Sequence, residues 1–123
     1  MYIAIDFDGT VVTHEYPRVG KDIGAVSVLR KLVAAGHKII LFTMRDNDTL
    51  TDAEKWFADN GIPLYASNDN PSARWSTSRK VFAHLYIDDM AAGVPLKLNL
   101  SMSNRKFVDW KKMENWLEEN GYL

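Results

Sequence analysis

In Tyr2-Ile3-Ala4-Ile5-Asp6-Phe7-Asp8-Gly9-Thr10 an apolar run ends in two carboxylates one residue apart and a glycine turn. Tyr2 to Ile5 has the character of a buried strand, and Gly9 marks the turn that closes it. A carboxylate beside a buried strand costs free energy unless its charge is offset. Two on one turn repel, and one of them binds its proton more tightly unless a cation sits between them. A lone D-x-D is most often a polar strand stop. The rest of the chain argues for more.

Three further stations follow in order. Ile39-Ile40-Leu41-Phe42 is a second apolar run and ends in Thr43-Met44-Arg45. Lys80 stands shortly before a third run, Leu85-Tyr86-Ile87, which ends in Asp88-Asp89. A hydroxyl, a cation and carboxylates thus fall at or beside the ends of apolar strands. In an open parallel α/β sheet those ends line one edge, and ligands bind in the crevice there.

With these residues the chain resembles the haloacid dehalogenase-like superfamily, mostly Mg-dependent phosphohydrolases. Asp6-x-Asp8-Gly9-Thr10 matches its first motif, Thr43 its second, Lys80 its third and Asp88-Asp89 its fourth. The resemblance spans residues 2 to 89 and implies a Rossmann-like three-layer α/β sandwich with core strand order 4-1-2-3. Superfamily caps are inserted after the first motif or between the second and third. About ten residues separate Thr10 from the expected first helix, and only 36 lie between Thr43 and Lys80. Neither gap holds a cap domain, so an open pocket is expected.

At 123 residues one domain is expected, spanning 1–123. Hydrophobic content of 46% and charged content of 25% are ordinary for a soluble globular protein. Fifteen basic against sixteen acidic residues leave no global basic field for nucleic acid. No apolar run approaches the ~20 residues that cross a bilayer. With the first strand starting at residue 2, no signal peptide is expected, and the cytoplasm is the expected location. The absence of cysteine excludes disulfides, thiolate catalysis and Cys-ligated zinc.

Periodicity predicts strands at 2–6, 37–43, 63–66 and 84–88, and helices near 21–35, 48–60 and 109–120. The first helix carries Ile23, Val26, Leu29, Leu32 and Val33 on one face and stops at Gly36. The last shows Trp110, Met113, Trp116 and Leu117 at helical spacing with Asp109 as N-cap, so its tryptophans read as core. Strands alternating with helices argue for a parallel sheet. Only Met90 to Leu96 separates Asp89 from the strand-like run Lys97-Leu98-Asn99-Leu100, within a possible strand at 96–100, too few for a parallel crossover. That fifth strand is expected to be antiparallel, an extended edge, or absent. Residues 68–79, polar and containing Pro71, read as a loop.

The resemblance assigns the roles. Asp6 is the expected nucleophile, forming an aspartyl-phosphate that splits one hard step into two. Asp8 is the expected general acid and base, giving a proton to the leaving oxygen and taking one from water. Dehalogenases and phosphonatases lack that second aspartate, so its presence favours phosphate monoesters. Thr43 is expected to offer hydroxyl and backbone N–H to a phosphoryl oxygen, and Lys80 to neutralise nucleophile and phosphoryl group. Gly9, Thr43, Met44, Arg45 and Lys80 are the expected substrate contacts. Arg45 either forks onto a phosphate or pairs with Asp46 or Asp48. Mg²⁺ is the expected ion, held by the Asp6 carboxylate, the Asp8 backbone carbonyl and Asp88, with Asp89 acting at one remove or through water. His14, on a flap at 13–18, reads more readily as an exposed loop histidine than as a substrate contact. His37 and His84 read as structural.

The expected partner is a phosphorylated substrate, either a small molecule or a macromolecule's end. An open pocket borrows a wall from a bulky substrate or a neighbouring copy. Net charge near zero and four tryptophans tilt this slightly toward a homo-oligomer. The competing readings are a phosphotransferase or nucleic-acid end phosphatase on the same residues, and a non-catalytic module binding metal or a phospholigand. A receiver domain fits poorly, because its acidic pair and acceptor aspartate lie on different strands.

Overall fold

The first apolar run forms β1 (Tyr2–Ile5), the central strand of the sheet, in the computed structural model, which describes residues 1–123. After it come α1 (Ala25–Ala34), β2 (Lys38–Leu41), α2 (Asn47–Asp59), β3 (Leu64–Ser67), β4 (Leu85–Ile87), β5 (Leu96–Lys97), β6 (Phe107–Val108) and α3 (Trp110–Glu119). The main sheet has order β3-β2-β1-β4 and is parallel throughout, the expected 4-1-2-3 order read from the other edge. Ile5 sits opposite Leu41 on one side and Ile87 on the other, so the three strands end level.

Alternation along the strands sorts the two faces. Ile3, Ile5, Ile39, Leu41 and Ile87 share one buried cluster with Leu29 and Leu32 of α1, Phe57 of α2, and Trp110, Met113 and Leu117 of α3. All three helices therefore load the same face, through stripes at helical spacing. The opposite face carries Ala4, Ile40 and Tyr86 in register. Residues 68–84 cover it in place of a helix. The Tyr86 hydroxyl donates to the Val81 carbonyl, Asn70 Nδ2 donates to the Phe82 carbonyl, and Phe82 packs edge-on to Tyr2 and His84. The sandwich thus has helices for one outer layer and a loop for the other.

Two boundaries differ from expectation. The first helix starts at Ala25, not near 21, because the preceding residues are taken by the flap: Thr13 N–H donates to the Lys21 carbonyl, and Val12 bridges Asp22. Asp22 Oδ1 then accepts the N–H groups of Gly24, Ala25 and Val26 and starts the helix. The fifth strand is antiparallel and outside the main sheet. Leu96 and Lys97 pair with Val108 and Phe107 as a short ribbon, whose second strand the sequence reading did not foresee. No helix is long and apolar enough to cross a membrane.

Candidate active site

The β-ladders run past the strands and fix the next residues of the chain at one edge. Asp6 N–H donates to the Ile87 carbonyl, Phe42 N–H to that of Ile5, and Asn68 N–H to that of Leu41. Asp6, Thr43 and Asp88 therefore sit side by side at the carboxyl edge, as the order of their strands requires.

Carboxylate oxygens of Asp6, Asp88 and Asp89 all lie within 4.8 Å of one another. Thr10, fully buried, ties Asp6 to Asp89: its hydroxyl donates to Asp6 Oδ2 at 2.8 Å and accepts Asp89 N–H at 2.9 Å. The Trp110 indole N–H in turn donates to the Thr10 carbonyl, pinning the turn to α3. Burial first, and then the charge of Asp88, push the Asp6 carboxyl up to about 8, against the lowering effect of Thr10's hydrogen bond. Asp88 is raised as well, again chiefly by burial. Three converging carboxylates form an oxygen-only donor set suited to a hard divalent ion such as Mg²⁺.

The neighbourhood of the triad is closely built. Gly9 has φ +76, and a Cβ there would collide with the His14 imidazole and the Asp89 carboxylate. His14 is not an exposed loop residue. Its side chain is 11% exposed, with Nε2 at 3.3 Å from Asp89 Oδ2 and 3.2 Å from the Lys106 carbonyl. His37 and His84 are structural, as expected: they contact the amino terminus and Tyr122 in one case and Tyr2 N–H in the other.

Asp8 turns away from the triad. Arg45, only 2% exposed, grips it with Nε at 2.8 Å from Oδ2 and Nη2 at 2.7 Å from Oδ1. The remaining guanidinium contacts go to the carbonyls of Pro17, Arg18 and Thr49, and the Phe7 and Tyr16 rings flank it. A guanidinium has five N–H donors, and these five contacts use them. Both expectations for Arg45, a phosphate fork and a pair with Asp46 or Asp48, are therefore corrected. Arg45 is an internal clamp joining the D-x-D turn, the flap and the start of α2. Its partner was hidden because Asp8 lies 37 positions away.

The other expected contacts divide. Thr43 lies at the edge, but its N–H is taken by Asn68 Oδ1 at 2.8 Å, so only its hydroxyl is left to donate. That hydroxyl accepts from Arg45 N–H at 3.1 Å and keeps its proton. Met44 projects beside it and is 96% exposed. Lys80 is not brought to the triad: it is exposed, forms no ion pair, and lies 5.4 Å above the Tyr86 ring. Residues that the sequence reading passed over as contributors are Thr10, His14, Asn68 and Trp110. The Gly-Thr after the D-x-D was the one signal that could have singled out Thr10.

No family model and no curated protein matches the chain. A solved structure is similar, that of a conserved protein from Bacteroides thetaiotaomicron, with 35% identity and a TM-score of 0.79. The match covers 98% of this chain and 91% of that one. This chain belongs to the family of that conserved Bacteroides protein.

Proposed function

We propose that this protein is a haloacid dehalogenase-like phosphohydrolase that cleaves phosphate monoesters through Asp6 with a divalent cation, Mg²⁺, in its carboxylate cluster. The observation that carries the reading is the convergence of Asp6, Asp88 and Asp89 at the ends of adjacent parallel strands. Asp6 and Asp88 would hold the ion, with the Asp8 backbone carbonyl as a further ligand and Asp89 at one remove. The ion would neutralise the substrate phosphate and let a carboxylate approach it.

Asp6 attacks phosphorus, the P–O bond to the leaving group breaks, and the leaving oxygen takes a proton. Water then attacks the aspartyl-phosphate, restores Asp6 and releases inorganic phosphate. Asp8 is the residue for both proton transfers. Because Arg45 holds both its oxygens, this role requires the ion pair to open when substrate enters. The Thr43 hydroxyl donates to a phosphoryl oxygen. Lys80 joins the site only if residues 68–84 shift toward it.

The test is hydrolysis of an aryl phosphate with Mg²⁺, with chelator, and by Asp6→Asn. Turnover that needs the ion and disappears in the variant supports the reading. Turnover that survives in Asp6→Asn removes Asp6 as nucleophile.

A further inference from the structure

The loop over the helix-free face frames a polar cavity of about 420 Å³ that begins at Asn68 and ends at Phe82. It adjoins the candidate active site through Asn68, whose side chain holds the Thr43 N–H. Lys80, on its wall, lies over Tyr86. Tyr86 is paired with Ala4, two residues before Asp6, which is about 7 Å along a strand.

Its chemistry is that of an anion site. Arg74 forks onto Asp69 at 2.9 and 3.2 Å and neutralises the one carboxylate in the wall. Arg79 and Lys80 have no acidic partner. Ser76 Oγ accepts the Ser78 N–H, and Ser78 Oγ accepts the Lys80 N–H, so both hydroxyl protons are free to donate. The formal charge of −1 conceals a strong asymmetry: between residues 70 and 108 the acids are Asp88 and Asp89 alone, against Arg74, Arg79, Lys80, Lys97, Arg105 and Lys106.

We infer that this cavity is a second phosphate subsite, and that the preferred substrate is a phosphomonoester whose leaving group carries another phosphate. The inference rests on the phosphohydrolase reading for the word substrate, but the binding it describes does not. The unpaired Arg79 guanidinium, the Lys80 ammonium and two hydroxyl donors suit a phosphate's several oxygens. The second phosphate could belong to a bisphosphorylated small molecule or to the next linkage of an oligonucleotide. Trp75, 75% exposed on the same loop and edge-on to Phe82 of the cavity wall, offers a ring face to a base in the second case.

The test measures binding by titration calorimetry in chelator, where nothing turns over. Nucleoside 3′,5′-bisphosphate is expected to bind at least about tenfold more tightly than nucleoside 5′-monophosphate, with an advantage that shrinks as salt rises. Arg79→Glu, on an exposed loop, is expected to reduce that ratio to near one. A 5′-phosphorylated trinucleotide separates the sources. If it binds more tightly than the bisphosphate and Trp75→Ala removes only that gain, the second phosphate is a nucleic-acid linkage; equal binding assigns a small molecule. Equal affinities for mono- and bisphosphate, or a ratio unchanged by Arg79→Glu, overturn the subsite. Aryl phosphate turnover, assayed separately with Mg²⁺, reports on the catalytic reading alone.

Discussion

Arg45 and Asp8 form a bidentate ion pair beneath the flap, 37 residues apart in sequence and within 2.8 Å at both contacts. Without Arg45, the largely buried Asp8 carboxylate loses its counter-ion and the carbonyls of Pro17, Arg18 and Thr49 lose their donor. Removing one partner of a buried pair costs more than the pair itself contributes. Arg45→Ala is expected to lower unfolding free energy by about 3–5 kcal/mol. Arg45→Lys should recover only part of this, since an ammonium cannot fork onto a carboxylate and three carbonyls together. Urea unfolding of the two variants checks this, and equal stability of Arg45→Ala and the parent would refute the clamp.

The same pair shapes the second prediction. Asp8→Asn should slow esters with poor leaving groups far more than activated aryl phosphates, because only the former need a proton donor. A comparison of kcat/KM across leaving groups reads this directly. An equal loss on all of them would assign Asp8 a purely structural part, as Arg45's partner.

The third concerns pH. Asp6 moves from an ordinary 3.8 to about 8 in the folded, metal-free protein, chiefly by burial. Between those values the folded state holds a proton that the unfolded chain releases, so the stability of the metal-free protein falls as pH rises through the window. Mg²⁺ displaces that proton, so its stabilising effect is expected to be larger at about pH 8 than at about pH 5. Thermal melts across this range should show the slope, and Asp6→Asn should flatten it. Asp88→Ala should weaken the Mg²⁺ shift. An undiminished shift would strike Asp88 from the ligands.

Gly9 supplies the fourth. Its φ of +76 costs an L-residue about 1–2 kcal/mol, and the added Cβ meets His14 and Asp89 as well. Gly9→Ala is therefore expected to lose more than that conformational cost in stability and to disturb the triad. A variant with parental melting temperature and parental Mg²⁺ response would show that the turn has room to spare.

What the sequence made legible follows from locality. Ile5-Asp6 and Ile87-Asp88 carry their position in their own neighbours, since an apolar run that ends in acid places that acid at a strand end. The strand order and the edge arrangement of Asp6, Thr43 and Asp88 follow from those local signals. Arg45 was misread because its partner is fixed by the tertiary path of the flap. The delayed start of α1 has the same origin, since Val12 and Thr13 compete for residues whose periodicity alone says helix. Lys80 was placed by order along the chain, yet the distance between its backbone and the triad depends on how residues 68–84 drape over Tyr86. His14 was judged by its loop, and it is the missing side chain of Gly9 that gives it a seat beside Asp89.

Phosphorylation of Asp6 is the step on which the proposed mechanism depends. Acid-quenching the protein with Mg²⁺ and an ester bearing radiolabelled phosphate, then digesting it and locating the label, detects that intermediate. Label is expected on the peptide containing Asp6 and is lost in Asp6→Asn and in chelator. Turnover with no label on that peptide, or label that persists in Asp6→Asn, would contradict it.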